Sequence, residues 1–186
     1  MGWTINDIPD QIGQVVFVTG ANSGLGFETT KALLFKGATV VMCCRSLEKG
    51  EAAKNELLQN KPSGRIELLN ADLSDLIDLN SALEAFIDKH MKIDLLINNA
   101  GVMAPPRSLS KQGFEMQFAV NHLAHMALTF KLLPLLAKGD GSRVVTVTSG
   151  AQYMGKIDWD DLQGEESYDR WASYSQSKLA NVMFAL

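Results

Sequence analysis

The chain has 186 residues, of which 46% are apolar and 20% charged, with a net charge of −4. That length gives one domain with a buried core, read as a single unit over residues 1–186, and the composition excludes disordered and fibrous classes. No basic run stands out, so there is no electrostatic footprint for nucleic acid.

The opening "MGWTINDIPDQIG" is polar and interrupted by Pro9. It carries neither an apolar signal core nor a run long enough to span a bilayer, which predicts a cytoplasmic protein without a transmembrane segment. "QVVFVTG" (14–20) is a Val-rich run ending on glycine, and it reads as a strand buried on both faces. Residues 24–36 read as a helix stopped by Gly37. "ATVVMCC" (38–44) is a second strand. It holds both cysteines, Cys43 and Cys44; as neighbours they build no framework of bridges, which points to a reducing compartment.

Residues 46–60 form a Lys/Glu-rich helix with Ser46 as N-cap, closed by Pro62 and Gly64. "RIELLN" (65–70) is a third strand. Residues 74–90 form a helix with Leu76, Leu79, Leu83, Phe86 and Ile87 at helical spacing. "IDLLINNAG" (93–101) is a fourth strand running into a turn. Residues 114–137 read as one long helix, distorted near Pro134. Its "LTFKLLPLL" stretch is assigned to core and subunit interface. "SRVVTVTS" (142–149) is a fifth strand, followed by a Gly/Asp/Glu-rich loop to about residue 169 and a final helix. Strands alternating with helices of ten or more residues imply an α/β fold: a Rossmann-type, doubly wound parallel sheet with helices on both faces.

"TGANSGLG" (19–26) joins the first strand to the first helix. In that context Gly20 permits a tight turn, while Gly24 and Gly26 allow close approach of a pyrophosphate and of the helix backbone. The N–H groups at the helix start, around Asn22, Ser23 and Leu25, then face phosphate oxygens. The spacing is T-G-x-x-x-G-x-G, not G-x-G-x-x-G. Further on come "NNAG" (98–101), "VNHLAH" (120–125), a serine after the fifth strand, and Y-x-x-x-K at Tyr174 and Lys178.

This ordered set resembles the short-chain dehydrogenase/reductase family. The phrases "CCRSLEKG", "NNAGVMAPP", "GKIDWDDLQ" and "YSQSKLANV" resemble its retinol dehydrogenase-like branch, which includes WW-domain oxidoreductases. The resemblance implies a nicotinamide cofactor and an alcohol, aldehyde or ketone substrate of lipophilic character. An NAD-binding unit carries an acid about twenty residues past the first glycines. Here the second strand ends in Arg45 with no acid, which favours NADP(H) over NAD(H), with Arg45 binding a 2′-phosphate. The alternative for Arg45 is a solvated side chain. By resemblance, Asp72 bonds the adenine amino group and Leu73 offers backbone contact; the alternative for Asp72 is a turn or helix cap. Asn99, Ala100 and Gly101 would pass along the ribose and nicotinamide half.

Tyr174 and Lys178 share a helix face, with β-carbons about 5–6 Å apart. A neighbouring ammonium favours a phenolate, which suits proton exchange with a carbinol oxygen. The resemblance implies that Tyr174 is the acid/base, Ser149 stabilises charge on the substrate oxygen, Lys178 holds the nicotinamide ribose, and Asn121 holds a relay water. Taken singly, Ser149 could cap a strand end and the Tyr–Lys pair could be a surface contact. His122 and His125 lack a third ligand, so no metal is expected and both read as packing or surface histidines.

The family sheet continues past a fifth strand, so the chain is expected to be C-terminally truncated, lacking the last strands of the family fold. The Val-rich fifth strand would then be an open edge in need of cover, which predicts a homo-oligomer. Two other functions remain: a nucleotide-binding remnant with little turnover, and a protochlorophyllide reductase-like enzyme.

Overall fold

The computed structural model describes Gly2 and residues 4–186; Met1 and Trp3, within the opening segment, lie outside the described residues. Five parallel strands form one sheet in the order β3-β2-β1-β4-β5. They are β1 (Val15–Thr19), β2 (Thr39–Cys44), β3 (Arg65–Asn70), β4 (Leu95–Asn98) and β5 (Arg143–Thr146). The helices between them are α1 (Gly24–Phe35), α2 (Leu47–Gln59) and α3 (Leu76–Ile87). After β4 come a single turn α4 (Met116–Phe118), a π-helical turn (Ala119–Leu123) and α5 (Ala124–Leu136); α6 (Arg170–Ala185) follows β5. The α/β doubly wound reading from sequence is the fold observed.

Strand alternation divides the core into two layers. On β1, Phe17 joins Leu79, Leu83 and Phe86 of α3 and Leu128, Leu132 and Leu135 of α5. Val16 and Val18 point the other way, to Leu33 and Leu34 of α1 and Ala53 and Leu57 of α2. The adjacent cysteines follow the same alternation, Cys43 in the first layer and Cys44 in the second. Both are free thiols.

The caps match their sequence signals. Ser46 Oγ accepts from Lys49 N at 3.3 Å, as expected for an N-cap. Asp75 caps α3, accepting from Ile77 N and Asp78 N, so that helix starts later than the sequence suggested. The long helix expected over 114–137 is broken differently from expectation. The α-helix runs through Pro134, while the irregularity falls at Ala119–Leu123, a full helical region earlier. Pro134 sits two residues from the end of α5, and having no N–H it removes the helical bond to the Phe130 carbonyl while the winding continues to Leu136.

Among the described residues no helix is long and apolar enough to cross a membrane.

Candidate active site

The loop after β1 is bent by two glycines in the left-handed region, Gly20 at φ +63° and Gly24 at φ +54°. Gly26 serves packing. A β-carbon there would collide with the Gly20 carbonyl oxygen and lie 2.5 Å from Asn99 Nδ2. Its absence lets α1 close onto the turn that follows β4.

The carboxyl ends of β1, β2, β3 and β4 open onto a cavity of about 600 Å³, the place where open α/β sheets hold ligands. Gly20, Asn22 and Ser23 line it from the glycine loop, and Arg45 from the end of β2. Asp72 and Leu73 line it after β3, and Asn99, Ala100 and Gly101 after β4. Gly24, Leu25 and Gly26 lie outside this lining, and the Leu25 side chain is exposed. Ser46 and Lys49 also line the cavity, as do Val102, Pro105, Met116 and Val120. Lys49 went unread in the sequence, although it stands four residues after Arg45 and its backbone N–H bonds the Ser46 cap.

Asp72 fulfils its turn role with one oxygen: Oδ1 accepts from Ser74 N at 2.9 Å and Ser74 Oγ at 2.8 Å. Burial pushes the Cys43 thiol, another lining group, well above its ordinary value, and Cys44 up to about 11. Both stay protonated and weakly nucleophilic.

Thr19, the last residue of β1, holds the turn after β4. Its hydroxyl oxygen accepts from Asn99 N and Ala100 N, each at 2.9 Å, and Asn99 Nδ2 donates to Thr19 O at 2.9 Å.

Asn121 lies on the π turn and is fully buried. Its Oδ1 accepts from Val102 N at 2.8 Å, and its Nδ2 donates to Val102 O at 3.0 Å and Ser177 Oγ at 2.9 Å. Lys178 is 4% exposed. Its Nζ donates to Val147 O at 3.3 Å and lies 5.8 Å from the Tyr174 ring centroid. Burial lowers the Lys178 pKa, since desolvation disfavours an ammonium. A β-carbon on Gly101 would stand 3.1 Å from Asn121 Oδ1 and 3.6 Å from Lys178 Nζ. Asn121 Oδ1 and Lys178 Nζ therefore both approach Gly101, which itself lines the cavity.

Ser149 begins the short 3-10 turn Gly150–Met154, and its Oγ accepts from Ala151 N at 3.2 Å. The capping use is real, and it leaves the hydroxyl proton free to donate. That turn packs on α6 at Gly155, where a β-carbon would lie 2.6 Å from Ser175 O. Tyr174 is half-buried, edge-on to Trp171 at 6.3 Å between ring centroids. Tyr174 and Lys178 of α6, Asn121 of the π turn and Ser149 at the head of the turn packed on α6 all lie outside the lining of the cavity.

The two histidines of "NHLAH" are separately engaged. His122 Nδ1 is 3.3 Å from Asn181 Oδ1, and His125 is sealed in the core. Among the described residues no cluster of His, Cys, Asp or Glu is placed to hold a metal ion.

A parallel sheet wound on both faces, a glycine-bent first turn and a cavity across the strand ends define a Rossmann-type α/β unit. The family model for short chain dehydrogenases matches residues 14–186, and the chain belongs to that family. Retinol dehydrogenase 12 of Homo sapiens is 43% identical over 172 residues, covering 92% of this chain and 54% of its own. The chain spans about half the length of the curated retinol dehydrogenases it matches. The crystal structure of an uncharacterized protein from Mycobacterium Paratuberculosis is 44% identical, with a TM-score of 0.85, covering 98% of this chain and 64% of that one. The active-site complex of Pseudomonas aeruginosa RhlG with NADP is 25% identical, with a TM-score of 0.69 over 92% of this chain and 64% of that one.

Proposed function

We propose that this chain carries the cofactor site and the proton-handling residues of an NADP(H)-dependent oxidoreductase acting on a lipophilic alcohol, aldehyde or ketone. The observation that carries this is the contact across Gly101: the cavity wall on one side, Asn121 Oδ1 and Lys178 Nζ on the other. The cavity fits a dinucleotide. It has a glycine-bent loop for the pyrophosphate, Asp72 at the far end, and two cations, Arg45 and Lys49, at the rim. Arg45 and Lys49 would bind a 2′-phosphate, Arg45 through its planar fork and Lys49 as a point charge. The NADP complex of RhlG and the retinol dehydrogenase relatives support the cofactor and the substrate class.

When bound, the nicotinamide supplies or accepts the hydride. Tyr174 gives its proton to the substrate oxygen during reduction and removes it during oxidation. Ser149, with its hydroxyl proton uncommitted, donates to the same oxygen and stabilises its negative charge. Lys178, buried beside Gly101 with its Nζ 5.8 Å from the Tyr174 ring centroid, holds the ribose. Asn121 keeps Val102 and Ser177 in place around them. Exposed Phe130 and Leu133 on α5 and Met183 on α6 support a homo-oligomer built on these helices.

The test is NADPH binding by fluorescence beside NADPH oxidation against a panel of aldehydes and ketones. Binding with turnover is expected, and no binding would overturn the reading. The cavity is lined without the Tyr174 group, which favours a second reading, a binder without turnover. Binding with no oxidation of any substrate would select it.

A further inference from the structure

We infer that His125 is a positioning residue: as the neutral Nδ1–H tautomer it bridges Thr19 to Asn121 and sets the turn at 99–101 and the π turn in one register. Its ring is 1% exposed, and both nitrogens have partners. Nδ1 lies 3.0 Å from the Asn121 carbonyl oxygen. A carbonyl only accepts, so Nδ1 carries a proton. Nε2 lies 2.9 Å from Thr19 Oγ1. Burial pulls the ring down to about 4, so it is neutral at pH 7 and Nε2 is bare.

The Thr19 hydroxyl must then donate to Nε2. Its other available acceptor, the Ile97 carbonyl, is farther, at 3.4 Å. With its proton committed to the ring, Thr19 Oγ1 presents its lone pairs to Asn99 N and Ala100 N. The chain of bonds has one direction. It begins at two amides that can only donate and ends at a carbonyl that can only accept. Asn121, held at that end, in turn clamps Val102 with its side chain. One ring therefore ties the end of β1, the turn after β4 and the π turn together. The consequence for cofactor binding rests on the function proposed above; the direction of the bonds does not.

Three variants separate the two arms. His125→Gln keeps an acceptor near the Nε2 position, His125→Asn keeps a donor near Nδ1, and His125→Leu keeps neither. Nitrogen-15 spectra of the wild-type ring at pH 7 should show a protonated Nδ1 and a bare Nε2. Hydrogen exchange at the Asn99 and Ala100 amides should rise about tenfold in the Asn and Leu variants, the worth of one hydrogen bond. It should stay near wild type in the Gln variant, with thermal melts confirming that each is folded. An Nε2–H tautomer or an imidazolium at pH 7 would overturn the assignment. So would equal exchange at those amides in the Gln and Asn variants. NADPH affinity should fall in step with exchange. A wild-type chain that binds no NADPH would count against the proposed function alone, with the tautomer and the two amides still deciding the role of His125.

Discussion

β3 and β5 are the two outer strands of one sheet, and they present different chemistry to their surroundings. β3 exposes Arg65 and Glu67, and His90 Nε2 lies 3.1 Å from Glu67 Oε2. β5 exposes Val144 at 41% and Val145 at 46%. A charged edge resists pairing with another chain, while a flat Val-rich edge invites it. The helices behind them differ as well. α2 is docked by Ala53 and Leu57. α6 buries Ser175, Gln176, Ser177, Lys178 and Asn181 beside Ala180, and Lys178 and Asn181 both bond the Val147 carbonyl. One side of the molecule is held by apolar burial and finished for water. The other is held by directed hydrogen bonds and leaves apolar side chains of its edge strand exposed.

If that division is also functional, changes on the β5 side should alter turnover and changes on the β2 side should alter binding. Tyr174→Phe should lower NADPH-dependent turnover about 10³-fold while leaving NADPH affinity within about twofold, read by steady-state kinetics beside fluorescence titration. Equal losses in both would break the division.

His125 sits at the seam. Its folded value near 4 lies below the ordinary 6.5, so the unfolded chain takes up a proton first as pH falls. Stability is fully present above about 6.5 and declines toward about 4, with a span of about 3 kcal/mol. Buried Lys178 and half-buried His122 oppose that proton as well. Urea unfolding across this window should show the slope in wild type and a flatter one in His125→Gln.

Arg45→Ala should weaken NADPH about 10–100-fold, the worth of a charge-assisted contact, with NADH affinity nearly unchanged. An equal loss for both cofactors would remove Arg45 from the 2′-phosphate. The smallest energetic effect belongs to Val145→Lys. It should move stability by less than about 0.5 kcal/mol while shifting the size distribution toward monomer by light scattering. An unchanged distribution would leave β5 as an edge that needs no partner.

The strands and helix faces were legible because local pattern and burial agree: Val-rich strands, leucines at helical spacing, Ser46 as a cap. The cavity lining was legible wherever a motif marked it. Lys49 was missed because a lysine on a polar helix face looks solvated until the strand end is placed beside it. The break at Ala119–Leu123 had no sequence sign; Pro134 drew the eye, yet backbone register there follows tertiary contacts of Phe118, Asn121 and His125. His125 read as a packing histidine because one sequence cannot show that Thr19 and the Asn121 carbonyl arrive at its two nitrogens.

The π turn carries one residue more than an α-helix would need between α4 and α5. Removing one residue from 119–123 would restore regular winding and rotate everything on one side of the deletion by about 100°. Either Phe118 or the row of Leu128, Leu132 and Leu135 would then leave the core. A helix anchored at both ends can hold the extra residue, and a deletion within it would unseat one anchor. The bulge therefore holds Asn121 inward and both flanking anchors in the core at once.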